Sequence, residues 1–321
     1  PKKLRIALQM DPLAGINIKG DSTFVLGLGA QELGHTLYVY HPRDIFWHDG
    51  ALMARGEEVQ LRREQGNHFT VLGKHLLNLD ADVDVILLRQ DPPFDMGYIT
   101  NTHLLDRLKV TRVINNPSAV RNAPEKLLML RWPEVLPPTL ISFDARDLTE
   151  FTKEYGTVVA KKLYGNAGRD VYRFALAELD KLLVLADAHV KASGEPLMLQ
   201  PFLPEIANGD KRIILFGGKP VGVMKRMPAA GDFRANMALG GTPHATELTP
   251  RDHQICAIIG PTLRDMGLYF AGIDVIGDYL IEINVTSPTG LQSINALYDL
   301  KGDDRMEMLF WKGLNTNPKL G

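Results

Sequence analysis

The sequence is short of cysteine, of charge imbalance and of long apolar runs, and each shortage excludes a class of function. The single cysteine, Cys256, forms no disulfide within the chain. It sits in the apolar helical run HQICAIIGPTL, where a buried structural thiol is the expected state. Lysine and arginine number 36 against 38 aspartates and glutamates, a formal net charge of −2. No basic surplus invites nucleic acid, and there is no acidic tail. No run of about 18 apolar residues occurs. The opening PKKLRIALQM is broken by Asp11-Pro12, too soon for a signal peptide or a span. Repeats, low-complexity segments and any compelling Ser-His-Asp or Cys-His arrangement are also missing, so covalent catalysis has no obvious carrier. The expectation is a soluble cytoplasmic protein with neither nucleic acid nor membrane as partner.

What is present is ample material for a core: 321 residues, 45% of them hydrophobic, enough for two or three subdomains. The first third alternates strand and helix. LRIALQM reads as a strand, and DSTFVLGLGAQELG as a helix capped by Asp21 or Ser22 and stopped by Gly34. TLYVYH, the nearly continuous apolar run VDVILLR, and TRVINN complete a doubly wound α/β pattern. Ligands in such domains lie beyond the carboxyl ends of the strands, which draws attention to QMDPLAGINIKGDS, LRQDPPFD and INNPSAVRNAPEK. GLGAQE at Gly27 imitates a dinucleotide fingerprint, but Glu32 replaces its third glycine and the run lies inside a helix.

From about Asn122 the texture changes to α+β. PEKLLMLRW reads as a helix with Pro124 in its first turn, followed by the linker PEVLPPT. TVVAKKL and DVYRF flank the small-residue turn YGNAG, a hairpin signature. An amphipathic helix, ALAELDKLLVLADAHVKASG, ends at Gly194, and LMLQPFLPE is a strand. KRIILFGGKPVGVMKR is a hairpin turned by Gly217-Gly218. MPAAGDFRANMALGGTPH has no periodicity and reads as a long mobile loop. A helix capped by Thr249, with Pro250 at its first position, precedes a last hairpin.

That hairpin, GIDVIGDYLIEINVTSPTG from Gly272, carries Asp274, Glu282 and Asn284 among alternating apolar residues. A three-residue turn over Gly277–Tyr279 places Asp274 opposite Glu282, with Asn284 beside them and Ile273, Val275, Ile281 and Ile283 on the other face. Facing carboxylates repel, so something cationic belongs between them. Two carboxylates and an amide oxygen suit Mg²⁺ or Mn²⁺ shared with substrate phosphates; the alternative is a solvated outer face. Lys126 and Lys161, the latter ending an apolar strand, are either anion ligands or lysines snorkelling to solvent. Arg212 and Arg226 on the Gly-Gly hairpin, with Arg234 in the loop, either stabilise a transferring phosphoryl group or solubilise a surface. Arg89 and Asp91 follow a buried strand, as ligand residues or as a strand-end salt bridge.

The order of these parts resembles an ATP-grasp ligase, and more closely the bacterial glutathione synthetase family. The matching stretches include MDPLAGINIKGDST, LRQDPPFD, QPFLPEIANGDKR, RMPAAGDFRANMALGG, IGPTLRDMGL and the last hairpin, and they cover nearly the whole chain to Gly290. The resemblance implies an α/β substrate-binding domain over residues 1–121, a small ATP-grasp subdomain with the glycine turn over 122–203, and a second subdomain with lid and metal hairpin over 204–321. It implies that Lys126, Lys161, Gly165 and Gly168 contact ATP phosphates, that Gln200, Phe202 and Leu203 line the adenine slot, and that Asp210 binds ribose. Asp274, Glu282 and Asn284 would hold Mg²⁺ (or Mn²⁺), and Arg212, Arg226 and Arg234 would serve phosphoryl transfer. Asp11, Asn17, Arg89, Asn236 and Ser287 would hold the other substrates.

The implied reaction joins glycine to the cysteinyl carboxylate of γ-glutamylcysteine through an acyl phosphate, in a homo-oligomer, with the loop PAAGDFRANMALGG as a lid against water. One departure is local. The family pattern K-P-L-x-G-x-G-G reads Lys161-Lys162-Leu163-Tyr164-Gly165-Asn166-Ala167-Gly168 here, and alanine at a φ > 0 position strains a loop by about 1 kcal/mol. The rival readings are another ATP-grasp amino-acid or peptide ligase, and an ATP-binding homologue with weakened catalysis.

Overall fold

The computed structural model describes residues 3–165 and 168–316, built on three sheets. The first holds β1 (Arg5–Gln9), β2 (Thr36–Tyr40), β3 (Ile45–His48), β4 (Ala51–Leu61), β5 (Phe69–Asn78), β6 (Val85–Leu88) and β7 (Arg112–Ile114), in the order β3-β4-β2-β1-β6-β7 with β5 along the other edge of β4. β2, β1, β6 and β7 are parallel, as their apolar runs require, since β6 is buried along its whole length. The helix Ser22–Glu32 is capped by Asp21, whose carboxylate accepts from the Phe24 N–H at 2.7 Å, and Gly34 beyond its end has φ +80. Residues 45–78 depart from the strand–helix alternation and form three antiparallel strands. The overlooked signal is Asp49-Gly50, both at positive φ, the turn type that matches the twist of a tight hairpin.

The second sheet holds β8 (Leu140–Ser142), β9 (Thr157–Lys162), β10 (Val171–Ala175) and β11 (Leu197–Pro201), antiparallel in the order β10-β9-β11-β8. The helices Ala145–Tyr155 and Leu179–Ser193 pack on it through Leu148, Leu182 and Ala186. The third holds β12 (Asp210–Phe216), β13 (Lys219–Met227), β14 (Thr242–His244), β15 (Phe270–Ile276) and β16 (Tyr279–Asn284), in the order β14-β13-β12-β15-β16. No helix among the described residues is long and apolar enough to cross a membrane.

Two local expectations are corrected. PEKLLMLRW is not an α-helix: within it Leu128–Arg131 is a short 3₁₀ turn, and a second such turn, Pro133–Val135, lies in the linker that follows. Backbone bonds at the first turn span three residues, from the Leu130 N–H to the Leu127 carbonyl and from the Trp132 N–H to the Met129 carbonyl, and Pro133, with no N–H to donate, ends the run. The segment read as a loop through His244 contains β14, which pairs with the end of β13.

The Gly217-Gly218 turn, at φ +57 and +77, lies against Gly260 in the helix Pro250–Asp265. A Cβ on either Gly218 or Gly260 would press into the other's carbonyl oxygen, well inside van der Waals contact. Gly260→Ala should therefore destabilise the fold by about 2 kcal/mol through overpacking. Gly20→Ala, with no neighbour in reach of its Cβ, should change stability by under about 0.5 kcal/mol. Denaturant unfolding of the two variants against the parent chain checks this; equal midpoints for both would refute it.

Candidate active site

The last hairpin pairs Asp274 with Glu282 and Gly272 with Asn284, the expected facing arrangement. The odd count arises differently from the expectation. The turn has two residues, Gly277 at φ +56 and Asp278, and a β-bulge between Asp274 and Val275 leaves Ile281 out of register. Leu280 thereby takes the core position, while Ile281 joins Ile276, Asp274 and Glu282 on a cleft of about 790 Å³ between the second and third sheets.

The cations around these carboxylates come from the chain itself. Arg212 stands directly opposite Asp274 across β12 and β15, and donates from Nε to Oδ1 (2.5 Å) and from Nη2 to Oδ2 (2.9 Å). Arg226 stands opposite Asp210 across β12 and β13. It donates from Nε and Nη2 to both Asp210 oxygens (2.7 and 2.5 Å), and its Nη2 lies 3.1 Å from Asp274 Oδ2. All four are buried, so these arginines do not solubilise a surface. Burial pushes the Asp274 carboxyl upward, but Arg212 and Arg226 overcome it and hold the group well below the usual carboxylate range.

Lys126 is also buried and lies between the second and third sheets. Its Nζ donates to the Gly165 carbonyl (2.6 Å) and sits 3.1 Å from Glu282 Oε1. Lys161 on β9 donates to Gln200 Oε1 (2.7 Å), and Gln200 passes a bond from Nε2 to Thr139 Oγ1 (2.9 Å). Burial, aided by Lys126 and opposed by Glu282, pulls the Lys161 ammonium down to about 8. Phe202, Leu203 and Ile206 make the apolar end of the cleft. Arg173 stacks over Phe202 at 4.1 Å, and Phe233 meets that ring edge-on at 6.3 Å. Arg234 reaches across to the Gly168 carbonyl (3.0 Å), and Asn236 packs against Gly168, which has φ +73. Asn166 and Ala167, on which the expected strain falls, lie outside the described residues.

A second group gathers where β1 and β6 end. Asp11 Oδ2 accepts from the Asp91 N–H (3.2 Å), and Ser287 donates to Asp91 Oδ1 (2.6 Å). Arg89 is buried; it donates to Thr23 Oγ1 (3.0 Å) and the Pro288 carbonyl (2.8 Å) and stacks over Phe270, not in a salt bridge with Asp91. Asn17 is used in its own turn, accepting from the Lys19 N–H (3.2 Å). Gln292 ties that turn to the segment after Ser287 through the Ile18 and Asp21 carbonyls.

Three residues escaped the sequence reading. Glu125 accepts from the Val285 N–H (3.3 Å) and Thr286 Oγ1 (3.0 Å), and desolvation, then the Glu282 charge, push its carboxyl up to about 7. Asp232 holds the Arg234 guanidinium, and Phe233 closes on Phe202. Glu125 and Asp232 adjoin or nearly adjoin residues that were singled out, and that adjacency was the available signal.

Asp274, Glu282 and Asn284 offer hard oxygen donors. Asn284 turns its amide nitrogen to Asp274 Oδ2 (3.3 Å) and the Gly272 carbonyl (3.2 Å), so its oxygen is the atom presented elsewhere. No group of three or more His, Cys, Asp or Glu among the described residues could hold an ion alone. The set fits an ion that completes its shell with phosphate oxygens and water.

Residues 4–121 match the N-terminal domain of prokaryotic glutathione synthetase, and residues 125–299 match its ATP-grasp domain. The glutathione synthetase of Brucella melitensis is 46% identical over 315 residues, 98% of this chain and 99% of that protein. That of Mesorhizobium japonicum is 45% identical over 319 residues, 99% of this chain and 100% of that protein. Among solved structures, the D-cycloserine synthetase DcsG superposes with a TM-score of 0.67 at 16% identity, covering 98% of this chain and all of that one. The ATP-grasp ligase PsnB complexed with minimal precursor gives 0.64 at 15% identity, covering 99% and 100%. At such identities these two likenesses carry the fold alone.

Because Lys161 is cationic below about pH 8 and neutral above it, a polyanion in the cleft should bind progressively more weakly as pH rises. The KM for ATP should rise about tenfold from pH 7 to pH 9. Lys161→Arg, charged throughout, should flatten that rise. A rise of the same size in the Lys161→Arg variant would assign it to another group.

Proposed function

The chain belongs to the prokaryotic glutathione synthetase family, and from that premise we propose how its own residues divide the work of the reaction. The protein is an ATP-dependent carboxylate–amine ligase of ATP-grasp fold, joining glycine to the cysteinyl carboxylate of γ-glutamylcysteine. The observation that carries the site reading is the register that brings Asp274, Glu282, Arg212 and Arg226 to one cleft wall, with Lys126 and Lys161 facing it.

A carboxylate is a poor electrophile, so the amide forms in two steps. The cysteinyl carboxylate oxygen attacks the γ-phosphorus of ATP, the bond to ADP breaks, and an acyl phosphate results. The glycine amine, having shed a proton, attacks the acyl carbon, and phosphate leaves. Lys126, Lys161 and the Gly165–Gly168 turn hold the phosphates; Gln200, Phe202 and Leu203 line the base slot, with Asp210 on the ribose side. Arg212, Arg226 and Arg234 stabilise charge on the transferring group. Asp274, Glu282 and Asn284 would hold Mg²⁺ or Mn²⁺, which would supply further charge neutralisation when bound. Asp11, Asn17, Arg89, Asn236 and Ser287 bind the peptide and the acceptor. Residues 1–121, 122–203 and 204–321 are the corresponding working units. A cytoplasmic homo-oligomer completes the reading; its oligomeric part is supported by the edge of β5 that is unpaired among the described residues, with Leu72 and Leu76 exposed on it.

Phosphate release from ATP with Mg²⁺, γ-glutamylcysteine and glycine, added singly and together, tests the assignment. Full release should need both substrates, and Glu282→Gln should lower kcat by at least about a hundredfold, as expected for loss of a metal ligand. Normal turnover by Glu282→Gln would refute the metal hairpin. Tight ATP binding without substrate-dependent release would favour the catalytically weakened homologue.

A further inference from the structure

We propose that Asp232 is the positioning residue for Arg234, acting through that arginine's part in phosphoryl transfer as read above. The carboxylate brackets its neighbour from two sides. Oδ1 accepts from the Arg234 backbone N–H (2.9 Å) and Nε (3.0 Å), and Oδ2 accepts from Nη2 (2.9 Å). A fork held at Nε and Nη2 leaves one edge to act, and Nη1 donates that edge to the Gly168 carbonyl (3.0 Å) on the opposite side of the cleft. A side chain at Gly168 would strike Asn236, so the loop is seated closely on this turn. Phe233, between the two bracketed residues, reaches the base-slot wall at Phe202. Three consecutive residues thus span the mouth of the cleft, and the Asp232 carboxylate fixes the direction of the one that carries charge. An unbracketed arginine here has water as its alternative partner, since the side chain is about a quarter exposed at 26%.

The chemistry gives this bracket a consequence beyond stability. An acyl phosphate has two fates: the amine attacks the acyl carbon to form the amide, or water attacks and returns the carboxylate, with phosphate leaving either way. An arginine held at the glycine turn speeds formation of the intermediate and keeps the loop seated while the amine attacks. Loss of Asp232 should slow the first step and admit water to the second.

The test compares Asp232→Ala, Asp232→Glu and Arg234→Ala, measuring phosphate and glutathione in the same reaction alongside thermal melting. Asp232→Ala is expected to lower kcat about tenfold. Its KM for ATP should stay within about twofold, and phosphate should exceed peptide. Asp232→Glu should recover part of the rate, and Asp232→Ala should add little in an Arg234→Ala background. An impaired Arg234→Ala beside an Asp232→Ala variant of normal kcat and 1:1 products would overturn the inference and leave the role of Arg234 standing. An unimpaired Arg234→Ala would sink both. A lower melting temperature with kcat and product ratio intact would make the bracket structural only, against the proposal.

Discussion

Asp210, Arg226, Asp274 and Arg212 form a buried ladder of alternating charge, and the rest of the site is arranged around it. Charges withdrawn from water are tolerated only with near-ideal partners, and here each arginine presents two donors to one carboxylate. The partners are cross-strand neighbours, Asp210 with Arg226 and Arg212 with Asp274. A slip of one residue in either pairing would turn one member to the opposite face and strand its partner without a counter-charge. The register of the Asp210–Arg226 pair is therefore set jointly by the tight turn at Gly217-Gly218 and by the β-bulge that leaves Val221 unpaired between that turn and the ladder.

The ladder also answers the repulsion that the facing carboxylates raise. Asp274 is neutralised by Arg212 and Arg226, and Glu282 by Lys126. Repulsion by itself does not demand a metal, because protein cations already stand there. The case for a bound ion rests instead on the donor chemistry of Asp274, Glu282 and Asn284, and on a triphosphate that brings its own negative charge into a cleft rich in lysine and arginine.

Much of this was legible in the sequence where the signal was local. The parallel strands β1 and β6 announced themselves as apolar runs, Asp21 and Gly34 bounded their helix, and the Asp274–Glu282 facing followed from alternation. The bulge at Ile281 was not legible, because an extra residue in a strand leaves composition unchanged and only pairing reveals it. The antiparallel ribbon of residues 45–78 was missed since an Asp-Gly turn is a single dipeptide set against a strong expectation of helices. The engagement of Asp210 by Arg226 was invisible for a different reason: sixteen residues of hairpin separate them, and partnership across strands is a property of register. Resemblance supplied what periodicity lacked, naming residues for roles without saying what else those residues hold.

The bonds made after Glu282 explain why that stretch carries so much of the resemblance. From Val285 to Thr289 the chain leaves the last hairpin and, within five residues, bonds the segment at Glu125, the strand ends of the first sheet and Arg212 of the third. Val285 and Thr286 bind Glu125, next to Lys126; Ser287 binds Asp91 at the end of β6; the Pro288 carbonyl binds Arg89; and the Thr289 carbonyl lies 3.3 Å from Arg212 Nη1. Asn115, at the end of β7, adds bonds to the Val285 and Phe270 carbonyls (both 2.8 Å). Phosphoryl transfer needs the peptide carboxylate and the γ-phosphate within a few ångströms of each other, which separate domains cannot guarantee by themselves. A short segment bonded at once to Glu125 beside Lys126, to the ladder arginine and to the first sheet makes that distance a consequence of local backbone geometry. Side chains in such a segment have little freedom to change, because each substitution is felt on both sides of the reaction.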